Sequence, residues 1–157
     1  MVLQACMHLD VPITFAGPKN AAASSLIMAR LHEIAGDWKG ATFLPMVRGG
    51  DLWREYRRAW VHANASGFEP FGLNSLEALA SGCNIVHTTS GWGVEEFRSN
   101  GSLCSPHDVD SIIDALGTEL NRPRGWHGCR PQTWDDASCQ LLPIYQEVRN
   151  DCPGVPT

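Results

Sequence analysis

The stretch SGFEPFGLNSLEALASG, residues 66–82, joins a loop rich in glycine and aromatic residues to a run with helical spacing. Gly67 and Gly72 give the loop the backbone freedom to turn, and Pro70 restricts where a helix can begin. We therefore expect a helix that begins near Asn74. A turn of this kind, from a strand into a helix, is typical of the ligand-binding edge of an α/β protein.

Short β-type runs alternate with helical runs on both sides of this turn. The predicted strands are residues 13–16, 41–47, 60–65, 84–88 and 102–104. The predicted helices are residues 2–9, 24–35, 51–60, a run from about residue 74, residues 108–116 and residues 134–148. This alternation predicts an α/β fold, a Rossmann-like doubly wound parallel sheet with helices on both faces. We expect one domain over residues 1–150 and a flexible tail over residues 151–157.

The composition excludes several classes of protein. The chain has 157 residues, 43% of them apolar and 18% charged, as expected for a globular domain. Its net charge of −5 provides no basic field, so we expect no nucleic acid as a partner. No apolar run approaches the ~18 residues of a membrane span. Residues 1–10 lack the features of a signal peptide, so we expect a cytoplasmic protein.

Two glutamates flank the start of the helix near residue 74. The first turn of this helix would point free N–H groups and the positive end of its dipole at the crevice above the sheet, a position that suits a diphosphate. Glu69 lies in the loop, whereas Glu77 lies about one turn into the helix, where it can bind ribose hydroxyls. Acids beside a diphosphate repel it unless they bind neutral groups, so the pattern indicates a sugar nucleotide. The alternative is a capping box formed by Asn74 and Glu77, with Glu69 as a solvated acid.

The region around these glutamates resembles a known family signature. SGFEPFGLNSLEALASGCNIV, residues 66–86, is similar to the S-x-x-E-G-F-G-L-x-x-x-E-A-M-A-x-G-x-P-V-V pattern of retaining GT-B glycosyltransferases of the glycosyltransferase 4 type, also called glycosyl transferases group 1. Glu69 and Glu77 match its E-x7-E pair in register. The similarity continues in VPITFAGP (11–18), ATFLPMV (41–47), TSGWGVEEF (89–97), NGSLCSPHDVDSIIDAL (100–116) and TWDDASCQLLPIYQEV (133–148).

The resemblance implies a role for particular residues. Glu69 would be the catalytic residue, facing the donor sugar as an electrostatic and positioning group. The implied substrate-binding residues are Phe71, Gly72 and Leu73 through their backbone amides, Glu77 at the ribose, Met46 and Val47 at the base, and Glu95 in the later turn.

The resemblance also implies the reaction and its partners. The chain would be the donor-binding half of a retaining glycosyltransferase that takes a sugar from a nucleotide-diphosphate sugar. The acceptor would be a glycan, lipid or small molecule, bound by an N-terminal domain that this chain lacks. No metal or other cofactor is implied, because a helix N-terminus and basic side chains can offset the charge of the leaving diphosphate.

Some positions depart from the family pattern. Pro70 replaces a glycine, and Trp92 and Val94 replace a glycine and a proline in the later turn. The family's first strand, central in the order 3-2-1-4-5-6, would precede Val2 together with its basic clamp. We therefore expect a domain that is incomplete at its N-terminus and a chain that is poorly active alone. The alternative is a noncatalytic nucleotide-binding or interaction module derived from such an enzyme.

Overall fold

The computed structural model describes residues 1–17 and 22–125, together with residues 135, 138–143 and 146. The helices are α1 (Val2–Leu9), α2 (Ala22–Ala35), α3 (Gly50–Arg58), α4 (Leu73–Ala80), α5 (Val94–Arg98) and α6 (Val109–Asn121). The strands are β1 (Ile13–Ala16), β2 (Ala41–Leu44), β3 (Val61–Asn64), β4 (Asn84–Thr88) and β5 (Gly101–Cys104). Strands and helices thus alternate as predicted.

The element boundaries differ from the predicted ones for local reasons. β2 ends at Leu44 because Pro45 follows and has no N–H to donate to a neighbouring strand. α6 begins after Asp108, whose carboxylate accepts hydrogen bonds from the backbone N–H groups of Asp110 and Ser111, which confirms the predicted cap. α5 was not predicted, because five residues are too few to show helical periodicity.

The predicted C-terminal elements lie largely outside the described residues. Of the predicted helix over 134–148, the structure describes residues 135, 138–143 and 146, which are helical. The predicted tail, residues 151–157, lies outside the described residues altogether.

All strand pairs are parallel, but the described strands form two sheets instead of one. β1 pairs with β2, and β3, β4 and β5 form a second sheet in that order. Ile13 of β1 and Val61 of β3 pack against the same buried cluster, so the two sheets share this part of the core. The expectation that the domain is incomplete at its N-terminus stays a prediction.

Helices cover both faces of the three-stranded sheet, which confirms the doubly wound arrangement. On one face, α1 and α6 pack against a cluster whose buried members are Ala5, Cys6, Val86, Cys104, Ile112, Ala115 and Leu116. On the other face, α4 and α5 pack against a cluster whose buried members are Ala78, Leu79, Cys83, Ile85 and Phe97. Ile85 and Val86 of β4 enter opposite clusters, as the alternation of side chains along a strand requires. Each fully buried large apolar side chain contributes about 1.5–3 kcal/mol.

The apolar face of α2 is less covered than its spacing suggests. Leu26 is 75% exposed and Ile27 is 60% exposed, whereas Ala35 at the end of the helix is buried. No helix among the described residues combines the length and the apolar character that crossing a bilayer requires.

His62 of β3 is a half-buried titratable group in the three-stranded sheet. Its Nε2 atom is shut off from solvent and has no hydrogen-bond partner among the described residues, and its ring meets the ring of Tyr56 edge-on at 5.7 Å. Desolvation by burial, and secondarily the charge of His87, lowers the pKa of His62 to about 4. The imidazole is therefore neutral at pH 7.

We predict that His62 makes the fold sensitive to acid. The unfolded chain protonates this group near its ordinary pKa of about 6.5. The folded chain protonates it only near pH 4. The stabilisation of the fold by the neutral His62 is therefore complete above about pH 6.5 and is lost as the pH falls to 4. Urea denaturation at pH 7 and pH 4 should show that the native protein loses up to about 3 kcal/mol more than a His62→Gln variant. The exposed His8→Gln serves as control. Equal losses in native protein and His62→Gln would contradict the prediction.

Candidate functional site

Two loops lie side by side at the carboxyl ends of β3 and β4. The backbone N–H of Glu69 donates to the carbonyl oxygen of Ser90 at 2.9 Å, and Glu69 and Gly91 form a parallel β-bridge. We call residues 65–72 and 89–93 the paired loops. Because backbone contacts join them, the position of Glu69 is fixed by β4 as well as by β3.

The paired loops approach closely because glycines stand at their contacts. A Cβ atom on Gly91 would collide with the carbonyl oxygen of Glu69, and one on Gly93 would collide with the carbonyl oxygen of Phe71. Gly91 also has φ +146°, a backbone conformation that residues other than glycine rarely adopt. The sequence GWG at residues 91–93 therefore serves the contact between the loops.

Asn64, the last residue of β3, connects three parts of the site. Its Nδ2 donates to Glu69 Oε2 at 2.9 Å and lies 3.4 Å from Asn74 Oδ1 in the first turn of α4. Its Oδ1 accepts hydrogen bonds from the backbone N–H and the hydroxyl of Ser66. Asn64 is 6% exposed, so these hydrogen bonds satisfy a buried amide and hold the Glu69 carboxylate in one orientation.

His87 forms the floor beneath the turn into α4. Gly72 is the N-cap residue with φ +92°, and a Cβ atom there would lie 2.6 Å from His87 Cε1. The imidazole stacks on Phe97 with ring centroids 4.1 Å apart, and its Nδ1 is 3.1 Å from Ser75 Oγ. Burial lowers the pKa of His87, whereas the charge of Glu69 acts in the opposite direction. His87 is 1% exposed and therefore supports the turn from below.

Glu77 lies on the same helix as Asn74, but the two do not form a capping box, which would require Asn74 as the N-cap residue. α4 begins at Leu73 after Gly72, which offers no side chain to the helix end, so the capping-box alternative is wrong. Asn74 Oδ1 instead accepts from the N–H of Ser75 at 2.8 Å. Burial first, and then the charge of Glu77 and a hydrogen bond to it, raises the pKa of Tyr56 to about 12.

The structure gathers only part of the predicted site. The residues that lie together on the paired loops and α4 are Glu69, Phe71, Gly72, Leu73 and Glu77. Met46 and Val47 follow β2 in the other sheet, and no hydrogen bond joins them to this group among the described residues. Glu95 lies in the first turn of α5, where its carboxylate is 3.3 Å from Arg98 Nε and is exposed to solvent.

Asn64 and Tyr56 lie next to the candidate residues Glu69 and Glu77 but were not predicted. Asn64 had a usable signal, since a polar residue at the carboxyl end of an otherwise apolar strand faces the ligand edge of a parallel sheet. Tyr56 had no comparable signal, because its spacing on α3 indicates a core position equally well. No group of three or more metal-ligating side chains is found in the part of the chain that the structure describes.

We predict that Gly91→Ala opens the paired loops. The added methyl would strike the carbonyl of Glu69, so the free energy of unfolding should fall by about 2 kcal/mol or more. Gly125→Ala is the matched control, because Gly125 has φ +140° but no heavy atom within 4 Å of the point where an added methyl would lie. Urea denaturation measures both variants. Equal losses would mean that only backbone strain, and no collision between the loops, is involved.

Curated proteins with related sequences share a segment with this chain. A probable sucrose-phosphate synthase 3 of Arabidopsis thaliana is 40% identical over 76 residues, which are 47% of this chain and 7% of that protein. Sucrose-phosphate synthase 4 of the same plant is 40% identical over 103 residues, 59% of this chain and 10% of that protein. The chain thus corresponds to a small part of the length of these relatives.

Solved structures share the fold. A sucrose-phosphate synthase from Thermosynechococcus elongatus matches with a TM-score of 0.74 and 20% identity, over 96% of this chain and 42% of that one. HepE of Anabaena, in complex with UDP and glucose, matches with a TM-score of 0.64 and 18% identity, over 98% of this chain and 44% of that one. These matches confirm the predicted α/β fold with parallel strands and flanking helices, as in GT-B glycosyltransferases.

The family to which the chain belongs follows from a match to a family model. The family model described as "Glycosyl transferases group 1" matches residues 2–122, which include the paired loops, α4 and every described strand. The resemblance inferred from the two glutamates is thereby confirmed. The chain belongs to the glycosyl transferases group 1 family.

Proposed function

We propose that this chain is the donor-binding half of a retaining glycosyltransferase, which moves a sugar from a nucleotide-diphosphate sugar to a glycan, lipid or small-molecule acceptor. Membership of the family supports sugar transfer. The observation that carries the finer proposal is the hydrogen bond from Asn64 to Glu69, which places an oriented carboxylate beside the free end of α4.

The first turn of α4 would bind the diphosphate. The backbone N–H groups at the start of a helix lack partners within the helix, and the helix dipole places partial positive charge there. Gly72 carries no side chain that would cover this end, and Leu73 is 68% exposed. A diphosphate at this position needs no resident metal, because the helix end offsets part of its charge. The complexes of HepE with UDP and with UDP-glucose support a nucleotide of this kind.

Glu69 would act on the sugar. As the bond to the diphosphate breaks, positive charge develops on the sugar ring, and a fixed carboxylate nearby stabilises it. The hydrogen bond from Asn64 satisfies one carboxylate oxygen and leaves the other for the sugar hydroxyls. The same bond holds the carboxylate in place, so that its negative charge is aimed at the sugar and not at the phosphates.

Glu77 would bind the ribose hydroxyls from one turn further along α4. Asn74 and Glu77 are three residues apart on the helix and therefore share a face. The Tyr56 side chain, whose pKa the nearby charge of Glu77 helps to raise, would orient the Glu77 carboxylate. In this arrangement phosphate, sugar and ribose lie along one line from the paired loops to α4.

The chain covers less than half of its structural neighbours, so acceptor binding and efficient transfer would depend on a further domain. The alternative function, a noncatalytic nucleotide-binding or interaction module, is favoured by the division of the described strands into two sheets. Both functions include nucleotide binding and differ in turnover. The cytoplasmic location expected from the sequence stays a prediction.

We predict that Glu77→Gln weakens nucleotide binding while Glu69→Gln does not. Loss of a charge-assisted hydrogen bond to ribose should raise the dissociation constant for UDP about tenfold or more in calorimetric titration. Glu69→Gln should leave the affinity for UDP nearly unchanged and lower the affinity for UDP-glucose. Glu33→Gln is the control, since this exposed glutamate pairs only with Arg30 in the described structure. Unchanged UDP affinity in Glu77→Gln would remove Glu77 from the site, and ADP and GDP titrations test the choice of base.

We also predict that the chain of 157 residues binds the donor without efficient transfer. A UDP-release assay with UDP-glucose and a panel of acceptor sugars should show turnover close to background, because the acceptor side of the crevice would be absent. The same protein should bind UDP in the titration above, which controls for folding. Robust turnover by this chain alone would contradict the dependence on a further domain.

A further inference from the structure

We propose that the exposed rings of Trp92 and Phe68 form a platform for a pyranose ring beside Glu69. The inference rests on the proposed function and deepens it by assigning the surface that faces the sugar. No residue of this pair has a role in the site described above, and both lie on the paired loops.

The two rings form a defined pair at the mouth of the site. Phe68 follows β3 and Trp92 follows β4, and their ring centroids are 6.2 Å apart at an interplanar angle of 84°. Trp92 is 83% exposed and Phe68 is 60% exposed. In an edge-to-face pair one ring supports the other without covering both of its faces, so an aromatic face stays open to solvent.

Backbone contacts place the indole relative to Glu69. Gly91 and Gly93, on either side of Trp92, approach the carbonyls of Glu69 and Phe71 so closely that no Cβ atom would fit. The β-bridge between Glu69 and Gly91 fixes the same segment from the other loop. Trp92 is thus held on the structure that positions Glu69, and ordering the loop would cost a ligand little.

The combination of groups matches one class of ligand. A pyranose ring has a face of C–H groups and a rim of hydroxyls. An aromatic ring can cover the C–H face, while the Glu69 carboxylate oxygen that Asn64 leaves free and the exposed Asn74 amide can bind hydroxyls. A protein partner that needed only apolar area would gain nothing from this adjacent polar row. The neighbouring polar groups therefore favour a sugar.

The departure of this chain from its family pattern has a physical meaning under this inference. The pattern has a glycine where this chain has Trp92, so here a side chain occupies the space over the later turn. At this position the sugar face would meet an aromatic ring. Trp92 would then contribute to the choice of sugar.

The experiment compares the ratio of affinities for UDP-glucose and UDP in four proteins. Trp92→Ala should lower affinity for UDP-glucose about fivefold while affinity for UDP stays unchanged. Trp92→Phe keeps a ring and should restore most of the loss. Trp60→Ala is the matched control, because that 48% exposed indole lies at the amino end of β3, at the opposite edge of the sheet.

A second titration, with methyl glucoside in the presence of UDP, distinguishes a donor ring from an acceptor ring. A Trp92-dependent loss with UDP-glucose assigns the platform to the donor, and a loss confined to methyl glucoside assigns it to the acceptor. If Trp92→Ala changes neither affinity, the platform is overturned while the proposed function stands. If the native protein binds methyl glucoside in a Trp92-dependent manner but binds no nucleotide, the platform stands and the proposed function fails. If it binds none of these ligands, both are overturned.

Discussion

The hydrogen bond from Asn64 to Glu69 joins the sheet of this protein to its candidate chemistry. A glutamate in a loop would otherwise sample many rotamers, and its charge would be poorly placed beside an anionic ligand. Asn64 is buried at the end of β3, and its Nδ2 lies 2.9 Å from Glu69 Oε2. The hydrogen bond therefore fixes the carboxylate relative to β3. The backbone contact between Glu69 and Ser90 adds the rigidity of β4. Two strands thus determine where a single loop carboxylate points.

The turn into α4 depends on packing that is equally local. Gly72 can adopt its positive φ and lie against His87 only because it has no side chain. His87 in turn is stacked on Phe97 and bound to Ser75, so the floor of the turn is a neutral aromatic ring in an apolar cluster. A charged imidazole at this position would be desolvated, and its lowered pKa reflects that cost. The helix end is consequently presented on a rigid base.

The fold was largely predictable from the sequence because its signals are local. The run NIVHT gives β4 its predicted bounds, and Asp108 caps α6 through its own side chain. The pair Glu69 and Glu77 was singled out through the resemblance to the E-x7-E pattern, and its role in ligand binding stays a prediction. The contacts of Asn64 and Tyr56 were not predicted, because each joins residues that a turn or a helix separates in sequence. The division into two sheets likewise depends on pairing between distant segments, which periodicity does not encode.

Under the proposed function, that division would separate two aspects of ligand recognition. The paired loops, α4 and their floor all belong to the sheet of β3, β4 and β5, whose helices cover it on both faces. Met46 and Val47, expected at the nucleotide base, follow β2 and belong to the other sheet. Phosphate and sugar contacts would therefore require only the three-stranded unit, whereas base contacts would also require a fixed relation between the two sheets. Discrimination between bases would accordingly be the property most dependent on how the two sheets are held together, and affinity for the diphosphate would be the least dependent.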